Sequence, residues 1–307
     1  MRYRDLGRTG VRVSELACAV TAGADPGEAI DVIARARGRG VNTMTLNAED
    51  ASAVTLLAEA LAGGGDAHVV ARATSLVRFD LPSPHVPAWE AYPGAHLRAE
   101  VERLLATLRI ERLALVQLHA WCPEWQGEGD WQEALERLRG EGKIAGFGVS
   151  LFDHDVDAAL EMVASGAIDA VQLMYNIFDP GAAARLLPLC AAHRVGVVAR
   201  APLYYGALAS GFDGAGLAAE DWRRAYFYDA HRLETGERVA RLAALVELPD
   251  RSVADLALRF AQAHPAISTV AVGMHRHAHL DANLAALERG PLERERLAML
   301  ASHKWLC

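Results

Sequence analysis

The sequence predicts a single α/β domain that folds as a (β/α)8 TIM barrel over residues 1–307. Short apolar runs of strand length recur eight times, and stretches with the period of an amphipathic helix lie between them. Alternating strands and helices favour a parallel sheet with outer helices, and eight repeats allow that sheet to close. The predicted strands are Leu16–Val20, Val41–Leu46, His68–Ala71, Leu113–Leu118, Ala145–Val149, Ala170–Met174, Gly196–Ala199 and Thr269–Val272.

Helical periodicity marks the segments between these strands. A doubly wound open sheet would show the same alternation, but its usual glycine fingerprint, GxGxxG after the first strand, is absent. The closed barrel is therefore the favoured architecture. The predicted helices are Glu28–Ala36, Ala53–Leu61, Leu97–Leu108, Trp131–Leu138, Val156–Ala164, Ala182–Cys190 and Val253–Ala263.

Composition and charge exclude several classes of protein. With 52% hydrophobic and 23% charged residues the chain has ample material for a core. The net charge of −8 and the lack of basic runs predict no nucleic-acid partner and no anionic membrane partner. Since Met1–Leu16 lacks the apolar core of a signal peptide and no run reaches spanning length, we expect a cytoplasmic protein. The cysteines form no CxxC pair, which predicts reduced thiols and no metal site.

Two long segments without periodicity follow the third and seventh predicted strands. Asp80–Gly94 is rich in proline and aromatic residues, and Tyr204–Tyr228 carries a cluster of Trp, Tyr and Phe. Segments that follow barrel strands lie on the face where such barrels bind substrates. We interpret both as walls of a substrate pocket, with surface excursions held by aromatic packing as the alternative.

Several motifs resemble those of the aldo/keto reductase family. The opening segment Tyr3–Ser14 is similar to the N-terminal hairpin that closes the bottom of that family's barrel. The resemblance continues in family order and spacing as far as residue 283, and it implies the barrel with an N-terminal β-hairpin. The further matching segments are Val116–His119, Gly142–Ser150, Val171–Asn176, Ala199–Leu203, Val272–Gly273 and Asn283.

The resemblance also implies a catalytic tetrad, and most of it is missing. In the family an Asp ends the second strand, a Tyr follows, a Lys ends the third strand and a His ends the fourth. The Lys and Asp tune the Tyr hydroxyl to protonate a carbonyl while the nicotinamide delivers hydride, and the His orients the carbonyl. Here Thr45 stands at the Asp position, Asp50 lies near the Tyr position and Ser75 stands at the Lys position. Only His119 matches.

The cofactor positions that the resemblance implies are partly retained. Ser150, Gln172 and Asn283 match residues that bind nicotinamide and adenine, but Leu151 replaces the Asn that usually follows the Ser. The sequence therefore leaves two alternatives, a bound NADP or no cofactor. The further candidates for cofactor binding are Arg200, Leu203, Gly273, His275 and Arg276.

Three hypotheses follow for the function, all with a small molecule as the ligand. The first is acid/base chemistry, such as dehydration, isomerisation or cyclisation, with His119 as the catalytic residue and Asp50 as its partner. The second is an NADP-dependent oxidoreductase with a relocated proton donor, either Tyr92 or solvent. The third is a barrel that binds a ligand without turnover. The sequence does not indicate the substrate or the oligomeric state.

Three further groups have alternative interpretations. Arg200 with Tyr204 and Tyr205 either binds an anionic or aromatic ligand or forms a salt bridge with a neighbouring strand-end acid. Cys122, close to His119, is interpreted as a small buried hydrophobe in preference to a nucleophile. The alternating histidines around Arg276 suggest a phosphate-facing role in preference to a metal site. Those histidines are His275, His277 and His279.

Overall fold

A computed structural model describes residues 1–21, 25–64, 66–77, 85–209, 217–247, 250 and 252–306. Strands β1 (Tyr3–Asp5) and β2 (Arg12–Ser14) pair antiparallel as a hairpin. Eight parallel strands follow and close into a barrel in the order β10-β3-β4-β5-β6-β7-β8-β9. They are β3 (Leu16–Ala19), β4 (Thr43–Asn47), β5 (His68–Ala73), β6 (Leu115–His119), β7 (Phe147–Ser150), β8 (Ala170–Met174), β9 (Gly196–Arg200) and β10 (Thr269–Gly273).

Helices occupy the connections between the strands and surround the barrel. No helix within the described ranges combines the length and the apolar character needed to cross a bilayer. The helices are α1 (Pro26–Gly38), α2 (Ala51–Leu61), α3 (Ala88–Ala91), α4 (Gly94–Leu108), α5 (Trp131–Gly140), α6 (Leu160–Ser165), α7 (Leu186–His193), α8 (Arg223–Tyr226), α9 (Asp229–Ala243), α10 (Val253–Ala263), α11 (His277–Glu288) and α12 (Arg294–Ala301).

The predicted fold is confirmed, since each of the eight predicted strands corresponds to one barrel strand. The helices differ more from the prediction. The segment Val156–Ala164 begins as a 3-10 turn at Val156–Ala159 before α6. Helices α3, α8, α9, α11 and α12 were not predicted, and α3 and α8 lie within the two long segments that were expected to lack periodicity. Helix α9 has a charged sequence, DAHRLETGERVARLA, with few apolar positions to mark a buried face.

The N-terminal hairpin closes one end of the barrel, which we call the floor. Leu6, Val11 and Val13 of the hairpin are buried against small and branched residues of the barrel strands. Gly7 has a φ of 57°, and a Cβ there would lie 2.3 Å from the carbonyl oxygen of Asp169, so this close approach requires glycine. The strand residues of the floor are Ala17, Val70, Leu115, Ala170, Val198 and Ala271.

Alternation along the strands places the polar residues at the other end, which we call the mouth. Side chains two residues apart on a strand share one face, so the residues beyond those of the floor also line the barrel interior. On β6 the interior series runs from Leu115 through Gln117 to His119. The corresponding residues on β5 and β9 are Arg72 and Arg200, two positions beyond the floor residues of those strands.

Candidate active site

His119 ends β6 at the mouth, and its imidazole is held by the neighbouring strand. Its Nδ1 lies 3.0 Å from the Oγ of Ser150 at the end of β7. The strand register brings these two residues side by side, because His119 is the direct partner of Ser150. The Nε2 atom has no hydrogen-bond partner within the described part of the chain. His119 therefore has one ring nitrogen fixed and the other available for a ligand.

The protonation state of His119 is set by its surroundings. Burial lowers the pKa of the imidazole to about 3, and the positive charges of Arg72 and Arg200 add to the effect. The ring is therefore neutral at every ordinary working pH. A neutral imidazole has one N–H donor and one acceptor nitrogen, so it can donate a hydrogen bond to a ligand oxygen when the proton is on Nε2.

Tyr92 supports the backbone of His119. The phenol is fully buried at the C-terminal end of α3, where its hydroxyl donates to the carbonyl oxygen of His119. The same hydroxyl oxygen accepts a hydrogen bond of 3.0 Å from the backbone N–H of His119. Burial raises the pKa of this phenol above its ordinary range. These contacts give Tyr92 a positioning role and do not favour the expectation that it donates a proton to a substrate.

Asp50 and Ser75 are also engaged by local structure. Asp50 is the N-cap of α2, and its carboxylate accepts a hydrogen bond of 2.9 Å from the backbone N–H of Ala53. Ser75 lies beyond the end of β5, and its hydroxyl donates to the carbonyl oxygen of Val77 at 2.6 Å. Neither contact connects these residues to His119, so the expected pairing of Asp50 with His119 gains no support.

Arg72 is the cation that the third barrel strand brings to the mouth. Its side chain is largely buried and forms no hydrogen bond or ion pair within the described ranges. Burial, together with the positive charge of Arg200, lowers the pKa of the guanidinium to about 10. Arg72 was not predicted because the family resemblance implies a lysine near the end of this strand. The sequence signal for Arg72 was the alternation of side chains along His68–Ala73. Val70 faces the barrel interior, so Arg72, two residues further on, faces it as well.

Arg200 takes part in a polar cluster at the end of β9. Its Nη1 lies 2.5 Å from the Oδ1 of Asp153 and donates to the hydroxyl of Tyr205 at 2.9 Å. Its Nη2 donates to the carbonyl oxygen of Leu151 at 2.8 Å, and Tyr205 donates to Asp153 at 2.6 Å. Burial opposes the charge on Arg200, but Asp153 and Tyr205 outweigh that effect and raise its pKa. The salt bridge expected as one alternative for Arg200 is thus present, with Asp153 as the partner.

Both long segments reach the mouth in their described parts. Tyr92 lies near the end of the first segment, Asp80–Gly94, and Tyr205 near the start of the second. In the second, the rings of Trp222 and Tyr226 pack edge-on against Tyr205 at centroid distances of 4.8 and 5.0 Å. Residues 80–84 and 210–216 lie outside the described residues. The described parts place aromatic rings around the strand ends.

The candidate cofactor residues form a separate group on β7, β8 and the turn after β10. Ser150 and Gln172 are adjacent in the strand register, and the Oε1 of Gln172 is buried without a partner in the described chain. Asn283 on α11 is buried, and its Nδ2 likewise lacks a partner there. Polar atoms buried in this way are usually satisfied by a ligand or water. They suit a bound molecule that offers one donor and one acceptor.

The turn from β10 to α11 suits a phosphate group. Arg276 is the exposed N-cap residue of α11, and its guanidinium forms no ion pair within the described ranges. His275 precedes it, and burial together with the charge of Arg276 lowers the pKa of that imidazole. A helix N-terminus with a free cation attracts phosphate. Gly273 ends β10 with open space around its α-carbon, and Leu203 is partly buried after β9.

The alternatives to this kind of site find little support. No group of three potential metal ligands occurs in the described part of the chain. His277 instead places its Nε2 3.1 Å from the Oδ2 of Asp31. Burial raises the pKa of the Cys122 thiol to about 11, so this thiol is a poor nucleophile near neutral pH. Cys307 lies outside the described residues.

These features define a (β/α)8 barrel with a closed floor and a polar site at the carboxyl ends of its strands, the face where such barrels carry their chemistry. The sequence matches the model of the aldo/keto reductase family over residues 24–304. The chain therefore belongs to the aldo/keto reductase family.

Two known proteins are similar in sequence to this chain. It is 26% identical over 317 residues to an uncharacterised oxidoreductase, YqkF, of Bacillus subtilis (strain 168), with 99% of this chain and 96% of that protein covered. It is 27% identical over 220 residues to a D-threo-aldose 1-dehydrogenase of a Pseudomonas species, with 68% of this chain and 63% of that protein covered. Both relatives are named as enzymes of oxidation and reduction.

Solved structures share the fold. The aldo-keto reductase AKR11C1 from Bacillus halodurans, in a holo form, superposes with a TM-score of 0.78 at 24% identity, covering 100% of this chain and 98% of that one. The glycerol dehydrogenase AKR11B4 from Gluconobacter oxydans gives a TM-score of 0.75 at 20% identity, covering 96% of this chain and 92% of that one. At these identities the likeness establishes the architecture alone.

Proposed function

We propose that this chain is an NADP-dependent oxidoreductase of small molecules that works without the family's lysine-tuned tyrosine. The observation that carries the proposal is the state of His119, a neutral imidazole with a free Nε2 beside an unpaired guanidinium. Such a pair suits the binding of a carbonyl or hydroxyl oxygen. The family membership and the names of the relatives support the reaction class.

The residues present fit a nicotinamide dinucleotide. The partnerless Oε1 of Gln172 suits an amide donor such as the carboxamide of nicotinamide. The free Nδ2 of Asn283 suits a ring nitrogen of adenine, and Arg276 at the start of α11 suits a phosphate. When bound, the cofactor would exchange a hydride with the substrate.

His119 would hold the substrate oxygen. When Ser150 donates its hydroxyl proton to Nδ1, the ring proton lies on Nε2 and is directed at the ligand. Tyr92 fixes both backbone polar groups of His119, so the ring is held in place before the substrate binds. This arrangement orients an oxygen by hydrogen bonding without a change in the charge of the imidazole.

Arg72 would stabilise negative charge on that oxygen. A preorganised positive charge in a largely buried site favours a developing oxyanion far more than the same charge does in water. The proton that completes reduction would then come from solvent at the open mouth. This route needs no phenol between Tyr3 and Tyr92, a stretch that contains none.

The geometry favours this function over acid/base chemistry on His119. A general acid or base works best with a pKa near the working pH, and the pKa of His119 lies far below it, at about 3. Its expected partner Asp50 is engaged in capping α2. We therefore prefer the oxidoreductase hypothesis over the dehydration, isomerisation and cyclisation reactions.

Titration with NADPH and NADH, followed by nicotinamide fluorescence, tests the cofactor part of the proposal. Wild-type protein should bind NADPH, and Arg276→Ala should weaken NADPH more than NADH, since it removes a phosphate-binding charge. Arg294→Ala, at the exposed start of α12, is the matched control and should bind both cofactors like wild type. No binding at millimolar NADPH would overturn the proposal.

Oxidation of NADPH in the presence of a panel of aldehydes, ketones and oxo acids tests the reaction. His119→Gln should lower kcat by about 100-fold for any substrate found, because an oriented hydrogen-bond donor to an oxyanion contributes about that factor. Leu233→Gln, on the exposed face of α9, should leave kcat unchanged. Equal rates for His119→Gln and wild type would reject the assigned role.

A further inference from the structure

The mouth of the barrel holds a cation for which the described residues provide no counter-ion. Arg72 is largely buried, and none of its nitrogen atoms lies within hydrogen-bond or ion-pair distance of a described residue. Burying a charge without a partner costs free energy, so unpaired buried cations are rare in proteins. Arg72 is therefore a partly desolvated cation whose nitrogen atoms are bound to no group of the described chain and are open to a ligand.

The neighbouring charges do not neutralise Arg72. Arg200 forms a close ion pair with Asp153, at 2.5 Å, so the charge of that acid is already balanced. Glu49 also acts on Arg72, but it is exposed and lies beyond ion-pair distance. With His119 neutral, the cluster of Arg72, Arg200 and Asp153 carries one net positive charge.

The positions of these side chains define a binding place between opposite walls. In the ring of eight strands, β5 and β9 are four places apart, so Arg72 and Arg200 extend inward from opposite sides. Arg200 is close enough to Arg72 to lower the pKa of that guanidinium. Both arginines are close enough to His119 on β6 to lower the pKa of its imidazole. A small ligand between them would touch a guanidinium and the imidazole at once.

We propose that Arg72 binds a carboxylate of the substrate and that the substrate is a small 2-oxo or 2-hydroxy acid. A guanidinium presents two parallel N–H groups that match the two oxygens of a carboxylate. One net positive charge suits a monoanion better than a phosphate dianion. A carboxylate on the carbon next to the reacting carbon would leave the oxygen of that carbon beside His119. The guanidinium has five N–H groups, so two can hold the carboxylate while another faces the reacting oxygen, as in the proposed function.

The chemical step rests on the proposed function, whereas the binding step does not. Reduction of a 2-oxo acid would transfer one hydride from reduced nicotinamide to the carbonyl carbon and one proton from solvent to its oxygen. The products are the 2-hydroxy acid and the oxidised nicotinamide. The anion site on Arg72 would exist even if the barrel bound no dinucleotide.

The phosphates of a cofactor are the other source of an anion. We assign them to the turn after β10, because a helix N-terminus and Arg276 lie there, three strands away from β5 in the ring. The two sources are separated by measuring NADPH affinity in the same variants. A change at Arg72 should leave NADPH binding unaltered if the anion belongs to the substrate.

Calorimetric titration with oxamate, an unreactive analogue of a 2-oxo acid, tests the site. Its uncharged counterpart oxamide and inorganic phosphate are titrated at the same ionic strength. Wild-type protein should bind oxamate, Arg72→Met should bind it at least about 10-fold more weakly, and Arg72→Lys should lie between them. Arg185→Met is the matched control, because Arg185 is a surface arginine with 67% of its side chain exposed.

Thermal unfolding of the same variants gives a second readout. If Arg72 serves a ligand and not the fold, Arg72→Met should unfold at a higher temperature than wild type without ligand, because it removes an uncompensated charge. Oxamate should raise the unfolding temperature of wild type and leave that of Arg72→Met unchanged.

Several outcomes would overturn the inference. They are equal oxamate affinity in wild type and Arg72→Met, oxamide binding as tightly as oxamate, phosphate binding more tightly than oxamate, and a parallel loss of NADPH binding in Arg72→Met. If NADPH binds and oxamate does not, this inference fails and the proposed function stands. If oxamate binds and NADPH does not, the proposed function fails and the carboxylate site stands.

Discussion

The floor and the mouth of this barrel are built from the same strands, yet they have opposite chemistry. On β6 the floor residue is Leu115 and the mouth residue is His119, and on β9 they are Val198 and Arg200. The cluster of floor residues is apolar and sealed by the hairpin, whereas the mouth holds the guanidinium groups of Arg72 and Arg200. A shift of two to four residues along one strand thus separates apolar packing from polar and charged side chains.

The difference in chemistry implies a difference in energetics. Floor residues gain free energy from burial of apolar surface, at about 25 cal/mol per Å². In the mouth, the unpaired Arg72 and the partnerless side-chain amide of Gln117 cost free energy. The floor therefore stabilises the fold, whereas the unpaired polar groups of the mouth, Arg72 and Gln117, lower its stability.

Truncation in the floor should give the largest effect. Leu115→Ala removes a fully buried side chain and leaves a cavity beneath the hairpin, so the free energy of unfolding should fall by about 2–5 kcal/mol. Urea denaturation followed by tryptophan fluorescence measures it. Leu233→Ala, at a site 60% exposed, is the control and should change stability by less than about 0.5 kcal/mol. A small loss for Leu115→Ala would remove the distinction between the two ends.

The pH dependence of stability should show a second difference between the two ends, because it depends on His119 in the mouth. The pKa of His119 falls from an ordinary 6.5 to about 3 in the folded protein. Between these values the unfolded chain binds a proton that the folded chain does not, so stability is lost as the pH falls through this range. The slope contributed by this residue is about 1.4 kcal/mol per pH unit.

Comparison of wild type with His119→Gln isolates that contribution. Denaturation measured from pH 7.5 to pH 4.5 should show a shallower loss of stability for the variant below about pH 6.5, the ordinary value for histidine. Above it the two curves should run parallel. Parallel curves throughout would show that His119 titrates in the folded protein as it does in the unfolded one.

Replacing an interior amide should give the smallest effect. Gln117 lies between floor and mouth on β6, is completely buried, and has no partner for either polar atom of its side chain in the described chain. Gln117→Met should leave stability unchanged or raise it by about 1 kcal/mol. Gln262→Met is the counterpart, since the Nε2 of Gln262 donates to the carbonyl oxygen of Glu15, and it should lower stability. A clear loss for Gln117→Met would place Gln117 among the stabilising residues.

The fold was predictable because each barrel strand is a short buried run bounded by turns. The strand Ala170–Met174, for example, is buried at every position. Helix α9 was not predicted because its charged sequence has few apolar positions, and α11 because its apolar residues are spread around the helix instead of marking one face. Their positions follow from packing on the barrel, which a local pattern does not contain.

The site was predictable where family motifs coincide with strand ends, as for His119, Ser150 and Gln172. Arg72 was not predicted because the resemblance implies a lysine three residues later, at the position of Ser75. The alternation of side chains along β5 nevertheless places Arg72 in the barrel interior. The hold of Tyr92 on the backbone of His119 joins positions 27 residues apart and depends on how α3 packs. The sequence contains no local signal for such a contact.

The hairpin determines from which end a ligand can enter the barrel. Because the hairpin seals the floor, a molecule that binds among the strand ends enters and leaves through the mouth. If a dinucleotide and an acid bind there as proposed, they have to enter in sequence, with the more deeply bound molecule first, and leave in the reverse sequence. Steady-state kinetics with product inhibition should therefore show an ordered pattern and not a random one.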